Sequence, residues 1–417
     1  MKAAVLGAGV SGLTIARKLH DANADVTVYE TDAKAGGLAK SRVTDGYIYD
    51  PHGGHIFNSK DKSVTDWVFS ILPKEHWQYN IRNAKIFYKG KYISYPFELS
   101  LCELPIDDAV DCAYDFINAQ CGDEPDNFAD WLVWNFGRSI AEAYMLPYNR
   151  KIWAYPLEEM GTTWMRGKMP LPKKKDIIRS LALKDPTERE MPHSVFYYPI
   201  EGGIQTMVDA IAKPLTIRLS ESVKSIESLG ERWHVNGEMY DIVVSTIPLK
   251  ILPEVMRLPE QVVSAINGLK YNSLTTFLTD CPPTNISWLY IPSARWRAHR
   301  MGYQSALTPK AAPNGGGSGA FEIIGAGEKA DDTLIKQALP KELCVGHIID
   351  TQFSEYAYVI HDKYHAKNVS VTRGYFDGSS GFYSIGRWGA WKYNNMDLCM
   401  AEAFDTAARI LAHEGMV

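Results

Sequence analysis

The sequence predicts an α/β protein of several units, and three observations predict it. A short apolar run, a glycine turn and a helix-period stretch open the chain, with a second β-branched run just behind them. Residues 100–189 then carry apolar positions at helical spacing, and residues 270–370 carry short runs that read as strands. A length of 417 residues suits two or three such units.

In the opening unit, Lys2 to Gly7 reads as a buried strand that ends in Gly7-Ala8-Gly9-Val10-Ser11-Gly12. Leu13, Ile15, Ala16 and Leu19 follow at helical spacing. The next strand, Ala24 to Tyr29, closes on Glu30, 18 residues after Gly12. This is the context in which a GxGxxG pattern binds a dinucleotide. Gly7 allows the tight turn, Gly9 the close approach of a pyrophosphate, and Gly12 the packing of helix on strand. The helix N-terminus receives the phosphates, and Glu30 bonds a ribose with free hydroxyls, since no Arg follows it directly.

Further pieces of the same sheet are expected downstream. Leu215 to Leu219, followed by Val223 to Ile226, reads as a strand and turn over the adenosine; Asp241 to Pro248 reads as a buried strand returning to the cofactor. Asn236-Gly237 marks a hairpin between Trp233 and Tyr240. The expected dinucleotide domain therefore collects residues 1–60, 190–250 and 370–417. A helical insertion covers 100–189, with helices from Ile106 to Ala119 and from Phe128 to Met145, the latter capped by Asn127. An antiparallel sheet domain draws on 80–98 and 270–370, its strands including Ser273 to Leu278 and Cys344 to Ile349. Pro313 to Gly319 reads as a flexible exposed loop.

Composition narrows the function. Apolar residues at 46% and charged residues at 22% fit a folded globular chain. A net charge of -5 argues against nucleic acid or anionic lipid as a partner. The six cysteines are scattered, with no CxxC pair and no metal spacing, so no metal is expected. With neither a secretory leader nor an apolar run of membrane-spanning length, the cytoplasm is the expected location. The 11 Trp and 23 Tyr cluster at 148–164, 288–303 and 383–393, in places that serve a core or a ligand site.

Beyond Glu30 the chain reads Thr31-Asp32-Ala33-Lys34-Ala35-Gly36-Gly37-Leu38. This resembles the ExxxxxGG extension of FAD-binding oxidoreductases of the amine oxidase and protoporphyrinogen oxidase type, which implies FAD. The expected fold is thus a Rossmann-like FAD-binding domain with a helical insertion domain and an antiparallel β-sheet domain. Four more stretches resemble the UDP-galactopyranose mutases, and their eukaryotic branch more than the usual bacterial one. They are Asp50-Pro51-His52-Gly53-Gly54-His55-Ile56-Phe57; Ser94 to Glu98 together with Pro147 to Ala154 and Trp164; Ser287 to Pro292 with Arg300; and Gly386-Arg387-Trp388 through Asp397.

That resemblance implies a flavin-dependent mutase that interconverts the pyranose and furanose forms of a nucleotide-diphosphate sugar, a UDP-sugar first of all. It works through an adduct between N5 of the reduced flavin and the sugar, in the service of cell-surface polysaccharide synthesis, with NAD(P)H or another reductant activating the flavin. A homo-oligomer is possible. Gly54 and His55 would lie at the isoalloxazine, with Leu38, Val223, Gly386, Met396 and Asp397 as further cofactor contacts. Arg300 and Arg387 would hold the diphosphate, and Tyr290, Tyr358 and Tyr393 would line the sugar, with Tyr356 as the alternative to Tyr358. Tyr95, Glu98 and Asn149 would meet the nucleotide, Glu98 standing where the eukaryotic enzymes carry Gln. Trp153 is core or site. The basic, breaker-rich stretch 164–175 would be a mobile loop whose Arg166 or Lys168 clamps the diphosphate, Lys173 to Lys175 being merely solvated. The competing reading is an FAD-dependent amine oxidase or desaturase; a third is a binder without catalysis.

Overall fold

The sheet that carries the glycine turn is assembled from distant parts of the chain. In this computed structural model, which describes residues 1–165, 169, 171–186, 194–325 and 332–416, five parallel strands lie in the order Phe382–Ser384, Ile242–Ser245, Lys2–Leu6, Asp25–Tyr29, Thr216–Arg218. Leu6 stands between Ser245 and Tyr29. Of the three inner strands, Lys2–Leu6 and Ile242–Ser245 are almost wholly buried, which explains their unbroken apolar runs. Helix Val10–Asp21 packs against the C-terminal helix Met396–His413, so the last residues of the chain return to the first turn.

A small antiparallel sheet of Ile226–Leu229, Arg232–Val235 and Glu238–Tyr240 hangs beside this unit. Its second hairpin turns through Asn236 and Gly237, both at positive φ (51° and 84°), the pair that a type I′ turn requires.

The large sheet has seven strands in the order Ile348–Ile360, Lys270–Cys281, Gly317–Ile324, Arg300–Gly302, Trp288–Tyr290, Ala84–Tyr88, Lys91–Ser94. It is mixed rather than antiparallel throughout, because Trp288–Tyr290 runs parallel to Ala84–Tyr88. Two expectations within it fail. Gly317 to Gly319 are buried in a strand, where side chains would strike Cys281, Pro282 and Met301, so glycine here serves close strand packing and not flexibility. Cys344 caps a short turn in the left-handed region, and the strand placed at Cys344 begins only at Ile348.

The insertion supplies the helices Ile106–Ile117, Phe128–Ile140, Leu146–Trp153 and Lys174–Leu183. Asn127 caps the second of them by accepting from Asp130 N at 3.0 Å. That helix does not run unbroken to Met145. Gly137 (φ +73°) interrupts it where a Cβ would sit 2.6 Å from the Asp115 carbonyl carbon, and a π-helical turn spans Ala141–Met145. Lys174 and Lys175 belong to the helix Lys174–Leu183, and Lys174 Nζ donates to Ile117 O at 2.6 Å, so this part of the expected loop is ordered. One apolar core runs from Leu13 and Met400 through Phe97 to Leu132, joining the helices to the parallel sheet. Among the described residues no helix is long and apolar enough to cross a membrane.

Candidate active site

The site starts at the glycine turn. Gly7 has φ +95°, and a Cβ at Gly12 would lie 1.9 Å from Gly7 O, so neither position admits a side chain without rebuilding. Gly36 N donates to Ala8 O at 2.8 Å, and a Cβ on Gly37 would stand 3.0 Å from Gly9 Cα. The two glycine turns thus close on each other in front of the N-terminus of helix Val10–Asp21, whose cap position, Gly9, places no side chain over its first N–H groups. Glu30 accepts from Ala8 N at 2.8 Å and Asp32 N at 2.9 Å, bonds that fix the turn and leave each oxygen a second lone pair for a ribose. A Cβ at Gly386 would meet Ser11 Oγ at 2.4 Å, which places the start of the last motif on the same turn. Met396 opens the helix that follows, and Leu38 and Val223 pack on the apolar cluster that holds Tyr29.

The loop from Asp50 to His55 is built around a buried carboxylate. Asp50 accepts from Ser41 Oγ (2.6 Å), Tyr198 Oη (2.9 Å) and His55 N (3.0 Å), yet burial pushes its carboxyl up to about 6. His55 is held neutral: burial, with the Arg387 guanidinium beside it, drives its pKa down to about 4. Its Nδ1 is buried with no hydrogen-bond partner among the described residues. Gly53 (φ +94°) backs onto Arg300, where a Cβ would stand 3.2 Å from Nη2. His52 lies 2.6 Å through Nδ1 from Ser354 Oγ, and the described residues hold no cluster of three His, Cys, Asp or Glu fit for a metal.

Arg300 and Arg387 face the same place but are not equivalent. Arg300 makes two 2.9 Å bonds to Glu322, which lies almost fully buried with His299 Nε2 3.4 Å away. Burial opposes ionisation there, but Arg300 and His299 hold the Glu322 carboxyl down at about 2. Arg300 is therefore charge-neutralised in place, and it reaches Tyr358 Oη at 3.4 Å. Arg387 makes no ion pair among the described residues. Its Nη2 donates to Ala357 O at 2.7 Å, its Nε is buried without a partner among the described residues, and its carbon lies 4.7 Å from the Tyr393 ring and 5.6 Å from that of Tyr358.

Aromatic side chains complete the wall. Tyr358 and Tyr393 stand 6.0 Å apart, and Trp153 packs edge-on against both, so it belongs to the core and the site together. Tyr356 lies in the irregular pairing between Asn272–Tyr358 and Leu274–Ser354, stacks on Tyr271 at 4.6 Å and touches Trp388, whereas Tyr358 stands with Arg300, Arg387 and Tyr393. Tyr290 lies 5.1 Å from Tyr95 and 5.4 Å from Tyr148. Glu98 is buried close by with Oε2 unpartnered among the described residues, and burial raises its carboxyl to about 7.

Asn149 spends its side chain inside its own helix, donating to Met145 O (2.8 Å) and accepting from Trp153 Nε1 (3.0 Å). Only its spare lone pair and N–H remain for a nucleotide. Asp397 lies in the first turn of the C-terminal helix. Arg166 and Lys168 lie outside the described residues. The sequence carried no mark of Arg82, His299 or Glu322, and it marked Tyr148 only as part of the stretch Pro147 to Ala154, without a role. Arg82 Nη2 donates to Tyr290 Oη at 2.6 Å and its guanidinium covers the Tyr95 ring, but it is a lone arginine between strands with no spacing to reveal it.

The arrangement fits a flavin dinucleotide. Touching glycine turns leave room for a pyrophosphate at a helix N-terminus, and an unpartnered imidazole nitrogen and an unpartnered guanidinium nitrogen lie buried beyond them. Comparison with known proteins agrees. The family model for an NAD(P)-binding Rossmann-like domain matches residues 5–70, and that for flavin containing amine oxidoreductases matches residues 133–380. The mitochondrial protoporphyrinogen oxidase of Nicotiana tabacum is 38% identical over 84 residues, 20% of this chain, and an Arabidopsis thaliana protoporphyrinogen oxidase is 34% identical over 84 residues. Each match spans only 16% of the plant enzyme's length. Among solved structures, reduced UDP-galactopyranose mutase superposes with a TM-score of 0.88 at 23% identity, over 99% of this chain and 95% of the other. A candidate protoporphyrinogen oxidase from an Exiguobacterium species gives 0.75 at 17% identity over 99% of both chains. Putrescine oxidase bound to putrescine gives 0.64 at 14% identity, again over 99% of both.

Proposed function

Because the chain belongs to the family of flavin containing amine oxidoreductases and its cofactor is FAD, we propose that it is a mutase acting on a nucleotide-diphosphate sugar, with a UDP-sugar as first candidate. The observation that carries this reading is Arg387. It is a guanidinium without a carboxylate among the described residues, set between Tyr358 and Tyr393 and close enough to His55 to lower its pKa. An amine substrate is itself a cation and gains nothing from such a neighbour; a leaving diphosphate gains a charge-assisted partner.

The reduced isoalloxazine supplies the nucleophile toward the anomeric carbon. This chain's residues do the rest. The turns at Gly7–Gly12 and Gly36–Gly37 would hold the cofactor's pyrophosphate, with Glu30 bonding its ribose. Neutral His55 would meet the ring without adding charge. Arg387 retains the departing diphosphate, while Arg300, held by Glu322, presents fixed N–H donors to it or to a sugar oxygen. Tyr290, Tyr358 and Tyr393 pack the sugar and turn water away, and Tyr95 with Glu98 meets the base. The likeness to reduced UDP-galactopyranose mutase supports the substrate class through the fold alone. On this reading the enzyme works in the cytoplasm, draws electrons from NAD(P)H or another reductant only to activate the flavin, and feeds cell-surface polysaccharide synthesis.

The test is to reduce the FAD-loaded protein with dithionite, add UDP-, GDP- and TDP-sugars in turn, and separate pyranose from furanose forms by chromatography. Isomer formed by the reduced enzyme alone, with no reductant consumed per product, is the expected result. Electrons passed one-for-one to an organic substrate would instead identify an oxidase.

A further inference from the structure

Arg387 rides on a short arch with a cleft behind it. The chain leaves strand Phe382–Ser384, turns at Gly386 (φ +83°) into the single helical turn Gly386–Gly389, and reaches Trp391, which is fully buried yet left-handed at φ +50°. Such a backbone is strained for a bulky residue and persists only where its surroundings enforce it. On one side they do: Trp388 and Trp391 pack edge-on at 5.2 Å, Trp391 Nε1 donates to Lys270 O (3.2 Å), and His365 Nε2 donates to Trp391 O (3.0 Å). On the other side a cleft of about 620 Å³ opens between helix His365–Asp377 and helix Met396–His413, and Ser384, Ile385, Gly389, Ala390, Lys392 and Asn394 line it. Space, not packing, backs the arch there.

One side chain ties the arch across that opening. Glu402, on helix Met396–His413, accepts from Gly386 N through Oε2 and from Lys392 Nζ through Oε1, both at 2.8 Å, and so holds both ends of the stretch 386–392. Within the stretch Ala390 N donates to Gly386 O and Lys392 N to Arg387 O, both at 2.9 Å, so the ends cannot part without opening the turn that carries the guanidinium. Lys392 and Glu402 are 36% and 20% exposed, and water screens their charge-assisted bond only in part. Among the described residues the Arg387 side chain hydrogen-bonds to Ala357 O alone, so its aim follows its backbone.

We propose that Glu402 is a positioning residue which, with Lys392, clamps this arch so that Arg387 is presented to the diphosphate of a nucleotide ligand. The clamp rests on the diphosphate role of Arg387 proposed above and deepens it. Glu402 acts through the backbone of Arg387 and not on the ligand, so its removal leaves the guanidinium in the chain but no longer aimed.

Calorimetric binding of UDP, GDP and TDP to the FAD-loaded full chain, reduced with dithionite, tests it, the tightest of the three being carried into the variants. Glu402→Ala is expected to weaken that nucleotide about tenfold. Lys392→Met, which cuts the same pair from its more exposed end, weakens it about threefold, and Glu402→Gln, which keeps an acceptor for Gly386 N, falls between the parent and Glu402→Ala. Arg387→Ala is expected to weaken it about tenfold or more. Adding Glu402→Ala or Lys392→Met to Arg387→Ala then brings no further loss, because the clamp reaches the ligand only through Arg387. A general loosening of the site would instead show its loss in both backgrounds. Retained flavin absorbance shows that each variant is folded, and if Glu402→Ala sheds its flavin, Lys392→Met decides. Glu402 and Lys392 variants that bind like the parent, or whose losses persist undiminished beside Arg387→Ala, overturn the clamp and leave the role of Arg387 standing. A parent that binds none of the three nucleotides, or an Arg387→Ala variant that binds like the parent, overturns the role of Arg387 and the clamp with it.

Discussion

Glu98 is a carboxyl walled in by tyrosines, and its environment makes a sign-definite prediction. Burial raises its folded pKa from 4.5 to about 7, so between those values the native state binds the proton that the unfolded chain has lost. Stability contributed by the neutral acid is full below 4.5 and drains away as pH rises to about 7, a loss of about 3 kcal/mol. Glu98→Gln keeps the shape and removes the titration. The variant's stability relative to the parent should therefore grow by about that amount from pH 4.5 to pH 8, as urea unfolding at both pH values would show. The comparison cancels Asp50, His55 and His52, whose titrations both proteins share; a constant difference would mean that Glu98 is solvated. Arg387→Ala carries the catalytic prediction: turnover of the reduced enzyme falls by about 100-fold or more while FAD stays bound. Unchanged kinetics would remove Arg387 from the site. Both residues were legible in the sequence because they stand in motifs. Glu322 was not, since what makes Arg300 a fixed donor is a strand pairing that sets Arg300 opposite Glu322, 22 residues away.

Among elements, the glycine turns were the most legible, because a tight turn, a helix start and an acid at fixed spacing leave one geometry open. Gly12→Ala puts a methyl 1.9 Å from Gly7 O, and the protein is expected to purify without its yellow cofactor; a flavin-loaded variant would show that the turn can shift. Elsewhere the same residue type misled. Gly315-Gly316-Gly317-Ser318-Gly319 has the composition of a linker, but from Gly317 on it is a strand pressed against Cys281, Pro282 and Met301. Composition shows how freely a segment bends and says nothing of what packs on it. Gly137 was missed for the opposite reason: one glycine inside a helical pattern looks tolerable, and only the approach of the Asp115 backbone shows that the break is required. Gly137→Ala should lower stability by about 2–4 kcal/mol in chemical denaturation, because it strains a positive φ and forces two helices apart.

At the scale of the molecule, the site forms where the parallel sheet, the seven-stranded sheet and the helical insertion meet, and the joints between them decide whether it holds. Lys151 is one such joint. Its ammonium donates to Ile291 O (2.6 Å), Ala298 O (2.6 Å) and Ser293 O (3.1 Å), tying helix Leu146–Trp153 to the loop that joins strands Trp288–Tyr290 and Arg300–Gly302 of the large sheet. Asn272 Nδ2 seconds it with bonds to the carbonyls of Ile152 and Trp153. No sequence pattern announces either contact, since partners 119 to 147 residues apart are set by the fold and not by spacing. Lys151→Met keeps the stem and removes the charge, leaving three carbonyls short of a donor, at a cost of about 2–4 kcal/mol. The loss should be local before it is global. Hydrogen exchange is expected to quicken across 146–153 while the strand Lys2–Leu6 keeps its protection, and nucleotide-sugar binding should weaken because Tyr148 and Trp153 ride on the loosened helix. Equal acceleration in both segments would show that the three units unfold as one and that Lys151 stabilises the whole chain rather than the joint.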